Sequence, residues 1–356
     1  MEGTILEVLT QRNPRLNLTL QKPGGVTQNT KYINLDRDGV STSTWDDFNY
    51  ENVVAALGHL LDYGAVNSMA TDDVKDSQTQ INKEEDIDRL GDHWFTEVVY
   101  EPLKYGTVQT LKQLGVEETN VSFRLKGVEL NNPVEDSRLN PDWWIYQHTK
   151  PETTIVVGDS KCSSKWCSNI AKSPAKGRAW LWPMRQVGSY CKYGKTRYAF
   201  IITPEELVAA RFYTDKEDGN ANRVEFKSIP WEAGAPNELT MNLAIWALAI
   251  FALNEGHRPV MDRSETLPLN VWWKDRDEAG AVSYEHHLTG RKMTSLPPGG
   301  EARQRPTHIP GFVAEERVEN GSAGNRTSKR KRRMKELVKN DSTKDRRSIR
   351  KCRSRI

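Results

Sequence analysis

Residues 141–161 read PDWWIYQHTKPETTIVVGDSK, and two strands can be picked out of this stretch. Asp142–Gln147 is aromatic and apolar, which suits a pleated, buried surface. Thr153–Lys161 is β-branched, and its two-residue period sets Ile155 and Val157 on the side that carries Asp159 and Lys161. Asp142, directly after Pro141, heads the first strand. Asp159 and Lys161 close the second. If the strands pair as a hairpin, both carboxylates meet near one point with an amine beside them.

That set of groups has a definite chemistry. Two carboxylates and a strand carbonyl suit Mg²⁺ or Mn²⁺, hard cations that take oxygen ligands. A neighbouring lysine can orient or help deprotonate the attacking water and can neutralise charge on a phosphate. Phosphodiester hydrolysis is the expectation.

Working outward, a helix is predicted over Trp45–Asp62 and another over Ile87–Tyr105, separated by the polar run Thr71–Glu85. A strand is expected over Val121–Leu130. After the hairpin come a Lys-, Ser- and Gly-containing loop, a helix at Pro183–Tyr193, a short strand at Arg197–Thr203, a helix at Pro204–Phe212, an edge strand at Arg223–Ile229 and an apolar helix at Leu239–Glu255. Gln186 and Tyr190 are four apart on their helix and share a face. Gln186 could hold the lysine or the water, and Tyr190 could contact a phosphate.

The order helix–strand–strand–strand–helix–strand carries Pro141-Asp142, then Asp159-Ser160-Lys161, then Gln186-Val187-Gly188-Ser189-Tyr190. It resembles the PD-(D/E)XK nuclease superfamily, in the branch with a QxxxY helix, and is similar to fungal nuclease-like proteins. The resemblance covers about 165 residues, roughly 90–255, and leaves both ends unexplained. It implies an α/β fold with a restriction-endonuclease-like core (αβββαβ, a mixed central sheet flanked by helices). It also implies metal ligation by Asp142 and Asp159, water activation by Lys161, and an upstream helical acid. Glu97 is preferred for that acid over Glu101, one turn further along the helix.

Composition frames this core. The chain has 356 residues and a net charge of +3. Lys329–Ile356 alone holds a surplus of eleven positive charges, which leaves residues 1–328 at −8. A basic tail of this kind suits nucleic acid or a nuclear import receptor. Lys329, Arg330, Lys331, Arg332 and Arg333 read as a nuclear localisation signal, so a nuclear setting is expected. The acidic body implies that any phosphate-facing surface is local or assisted by cations. Lys165, Trp166, Arg178, Arg185 and Lys192 interleave cations with an aromatic and are the candidate nucleic-acid contacts. DNA is the expected partner, and nothing in the sequence rejects RNA.

Four cysteines and no signal-peptide pattern in Met1–Arg12 point to a reducing, intracellular setting. The eleven apolar residues Leu243–Leu253 fall short of the ~20 that span a bilayer, so no membrane partner is expected. Cys162, Cys167, Cys191 and His148 lack the CxxC spacing of a structural zinc site. Residues 1–44 are expected to be largely disordered, 45–258 to form the nuclease-like domain, 259–328 a poorly ordered linker and 329–356 the basic tail. The rival reading is a nuclease-derived DNA-binding or regulatory module that has lost turnover.

Overall fold

The computed structural model describes residues 2–19, 32, 41–64, 66–125, 129–132, 137–169, 180–215 and 221–306. In chain order the elements are β1 (Glu2–Gly3), α1 (Ile5–Thr10), β2 (Asn17–Leu18), β3 (Ser41–Thr44), α2 (Tyr50–Leu61), β4 (Val66–Asn67), β5 (Gln80–Ile81) and α3 (Glu84–Leu114). Then follow β6 (Val121–Leu125), β7 (Leu130–Asn132), β8 (Ser137–Leu139), β9 (Trp143–Gln147), β10 (Thr153–Ser160), α4 (Leu181–Gly194) and β11 (Tyr198–Ile202). The remainder are β12 (Glu206–Asp215), β13 (Ala221–Pro230), α5 (Met241–Phe251), β14 (Val271–Arg276), β15 (Val282–His286), β16 (Lys292–Met293) and β17 (Glu301–Arg303).

A seven-stranded sheet runs in the order β3-β13-β12-β11-β10-β9-β6. It is mixed: β10 runs parallel to β11 and β13 parallel to β3, while the other neighbours are antiparallel. Helices cover both faces. On one side α1, α2, α3 and α5 pack with Ile145, Phe200, Ile202 and Leu207. On the other, Met184, Val187 and Tyr190 of α4 pack with Trp144, Val157, Ile201 and Val208. All eleven residues of α5 are buried, with Thr240 accepting the Leu243 N–H at its start. A helix buried all round, apolar but for Asn242, is a core element. No helix of the described residues is long and apolar enough to cross a membrane.

Two glycines set how closely the layers meet. A Cβ on Gly91 of α3 would lie 2.6 Å from the Trp143 ring, and one on Gly158 of β10 would overlap the Phe200 ring. Both rings thereby settle against bare backbone next to the acidic end of β10.

Several elements depart from the sequence reading. Thr153–Ser160 is a strand, but a register shift between Thr154 and Val156 turns Ile155 to the α5 side, away from Val157 and Asp159. A bulge inserts one residue and breaks the two-residue period. Residues 204–212 lie in a turn and in β12, not in a helix. Thr203-Pro204-Glu205-Glu206 has the look of a helix start. The Thr203 hydroxyl does accept the Glu205 and Glu206 N–H groups, yet it closes the turn between antiparallel β11 and β12. With both faces of β12 buried, sheet pairing outweighs local propensity. Nor is β13 an edge, since β3 pairs beside it.

The expected disorder of 1–44 does not hold for its first residues. α1 has a Thr4–Glu7 capping box and buries Ile5, Val8 and Leu9. The expected linker after Pro259 contains a four-stranded sheet, β16-β15-β14-β17. It buries Trp272, Trp273, His286 and Leu288, and it is tied to the α2 region through Leu269 N–Asp47 (2.6 Å) and Arg291–Ala55 O (2.7 Å). Residues 307–356, with the basic tail and its candidate localisation signal, lie outside the described residues, as does Arg178.

Candidate functional site

The β9–β10 register pairs Val157 with Trp144 and Gly158 with Trp143. One step further, Asp159 stands opposite Asp142. Trp144 and Val157 face α4, and the two-residue period carries both aspartates to that same side. Their side chains are within hydrogen-bonding reach of each other. Asp142 Oδ2 accepts the Ser160 N–H at 3.1 Å, which fixes the carboxyl across the end of the hairpin. The Trp143 indole donates to Ser160 Oγ at 2.8 Å from the opposite face.

Lys161 turns back on the pair. Its ammonium donates to Asp159 Oδ2 and to the Ser160 carbonyl (2.9 Å). From α4, Gln186 Nε2 donates to Asp159 Oδ1 and to the Tyr190 hydroxyl, both at 2.7 Å, and Tyr190 donates to the Asn140 carbonyl at 3.1 Å. The four-residue spacing of Gln186 and Tyr190 is what lets one helix face hold both ends of this chain. Asp159 is fully buried and Asp142 half-buried, so solvent reaches the pair from the Asp142 side.

Burial raises both carboxyls above their ordinary range, Asp159 most strongly; Asp142 adds to the rise at Asp159, and Asp88 adds to the rise at Asp142. Lys161 opposes the rise. Burial works against its own ammonium, but Asp159, Glu84 and Asp142 outweigh that, and its pKa moves up. Lys161 is therefore an ammonium at neutral pH, a cation and hydrogen-bond donor rather than a base.

Glu97 is not at this site. It is exposed on α3, more than two turns from the residues of that helix that sense the pair. Those are Asp88, buried and acting on Asp142, and Glu84, acting on Lys161 and pairing with Lys165 at 3.1 Å. The helix begins at Glu84, three residues before the expected Ile87, so the four-residue spacing of Glu84 and Asp88 lies partly outside the predicted helix. Tyr32 is a third residue the sequence does not signal. It packs edge-on against Tyr190 with centroids 6.1 Å apart, hydrogen-bonds its hydroxyl, and has its carbonyl held by Arg185 at 3.1 Å.

The candidate nucleic-acid contacts divide. Trp166 is buried and donates to the Trp180 carbonyl (3.0 Å), so its ring is core and offers no stacking face. Arg185 is also buried, stacked at 4.1 Å over Trp182. Lys165 is half-buried and Lys192 exposed. The loop that carries Lys165 is anchored from β12: the Glu206 carboxylate accepts from Ser168 N, Ser168 Oγ and Ser228 Oγ.

Among the described residues no group of three or more histidine, cysteine, aspartate or glutamate side chains is arranged to hold a metal, and Cys162, Cys167, Cys191 and His148 form none. The aspartate pair is nevertheless an all-oxygen donor set, carrying more negative charge than Lys161 offsets. That fits a hard divalent cation better than a soft one. A scan against protein-family models finds no match to this chain, and searches of curated proteins and of solved structures find none either.

Proposed function

We propose that the protein is a metal-dependent hydrolase of phosphodiester bonds, a nuclease acting on DNA, with a core of the PD-(D/E)XK, restriction-endonuclease-like kind. The observation that carries this reading is the convergence of Asp142 and Asp159 from adjacent strands, with the Lys161 ammonium on Asp159. The element order α3, β6, β9, β10, α4, β11, with β10 parallel to β11, supports it as well.

Asp142 and Asp159 would hold Mg²⁺ or Mn²⁺, which when bound supplies Lewis acidity toward water and a phosphate oxygen. Lys161 places a fixed positive charge where a phosphate gains negative charge in the transition state. Gln186 fixes the Asp159 carboxyl plane, and the Tyr190–Asn140 link fixes Gln186. Lys329–Arg333 and the rest of the basic tail support nuclear import through an import receptor and loose tethering to DNA.

Supercoiled plasmid and single-stranded DNA and RNA, incubated with Mn²⁺ or Mg²⁺, test the reading. The wild-type chain is expected to fragment DNA, and Lys161→Ala to lose at least ~100-fold in rate while still binding DNA. DNA binding without cleavage by the wild type would leave the binding-module reading in its place.

A further inference from the structure

We infer that the cavity beside Lys161 receives one unpaired base of a DNA strand. This rests on the reading that the adjoining carboxylate site acts on DNA. Cys162, Ser163 and Ser164, the residues directly after Lys161, form one wall. Pro204 and Glu205 come from the end of β11, the parallel neighbour of β10, so cavity and carboxylates open at the same end of the sheet. The opposite wall is Leu18 and Thr19 with the β5–α3 junction.

Size and chemistry select the occupant. The cavity holds about 220 Å³. That is below the ~300–1,000 Å³ of pockets for larger ligands and suits a single planar ring system. Its lining is mainly apolar, and Leu18 at its rim is 48 % exposed, a surface for the flat face of a base. One polar group suits a base edge: the exposed Glu205 carboxylate can accept from an exocyclic amino group. Lys83 lines the cavity and Lys165 follows its Ser163–Ser164 wall, cations for the flanking phosphates. A second groove, of about 490 Å³, shares Leu18 and Thr19 and contains Arg15, continuing a path for the strand. A base stacked inside a duplex cannot enter such a pocket, so the site should favour single strands.

The test measures anisotropy of a labelled oligonucleotide bound by the full chain in metal-free buffer with EDTA, where no cleavage occurs. A short single strand is expected to bind about tenfold more tightly than the blunt duplex of the same sequence, and a strand with one abasic position, scanned along its length, to lose about tenfold at one register. Thr19→Phe, which fills the cavity, should cause the same loss on the intact strand and no further loss on the abasic one. Equal binding of intact and abasic strands at every position would overturn the pocket and leave the nuclease reading standing. Failure to bind any oligonucleotide would also overturn the pocket, and the nuclease reading is then decided separately by the cleavage assay with Mn²⁺ or Mg²⁺.

Discussion

Asp142 and Asp159 face each other from β9 and β10, one residue beyond the Trp143–Gly158 pair, with the Ser160 N–H held by the first and the Lys161 ammonium by the second. Two carboxyls so placed, one of them fully buried, repel each other when both are ionised. The first consequence concerns stability. Both carboxyls have raised pKa values in the fold, so their contribution is favourable below the unfolded carboxyl pKa and is lost as pH rises through the folded one. Asp142→Asn keeps an oxygen for Ser160 and removes the repulsion. It should raise Tm at pH 8 by ~2–4 °C, about 1 kcal/mol, and leave Tm at pH 3 unchanged. Calorimetry at the two pH values checks this; a lower Tm at pH 8 would contradict it.

Trp166 should matter for folding and not for DNA. Its ring is 1 % exposed and packs against Trp180. Trp166→Ala should cost ~3–5 kcal/mol in urea unfolding. DNA affinity measured well below the unfolding midpoint should stay within about twofold of wild type. A selective loss of affinity without loss of stability would restore the stacking role that the interleaved cations suggest.

How far the sequence could be read follows from the same local physics. The hairpin was legible because β-branched runs report a strand directly, although the bulge at Thr154–Val156 sets Ile155 on the face that a two-residue period does not predict; Gln186 and Tyr190 were legible because helical spacing reports a face. Residues whose position depends on the chain's return path were not. Asp88 lies one turn before Gly91, which seats α3 against Trp143, and Tyr32 is held by Arg185 and Tyr190, contacts that local sequence does not report. The Thr203–Glu206 turn carried the residue types of a helix cap, and only strand pairing with β11 and β13 decides otherwise. The sheet after Pro259 has strands of two to six residues whose aromatics are buried by tertiary contact, a pattern too short for periodicity to register.

Gly158 should not tolerate a side chain. A Cβ there would overlap the buried Phe200 ring immediately before Asp159. Gly158→Ala should destabilise by ~1–3 kcal/mol, and Phe200→Leu added to it should recover part of the loss. Denaturant melts of the single and double variants measure this coupling. Strict additivity of the two changes would contradict the packing account.

Acid should weaken the fold through its buried histidines. Burial lowers His286 and His257 to about 4. The His286 ring donates from Nε2 to the Leu269 carbonyl (2.6 Å) and accepts at Nδ1 from Thr289 (3.0 Å), so it is neutral with both nitrogens used. A depressed folded pKa gives stability that is present above the unfolded value near 6.5 and is lost as pH falls toward 4. For the fully buried His286 the loss is on the order of 3 kcal/mol. Urea unfolding between pH 7 and 4.5 should show a smaller acid loss in His286→Gln than in the wild type; an identical pH dependence of the two would contradict it.

Titration calorimetry of Mn²⁺ into the wild type, Asp142→Asn and Asp159→Asn tests the central claim, one cation held jointly by both carboxyls. The account expects one ion bound per wild-type chain, more tightly at pH 8 than at pH 6 because the ion competes with protons, and no comparable binding to either variant. Wild-type binding that survives both substitutions, or no binding by the wild type at either pH, would contradict it.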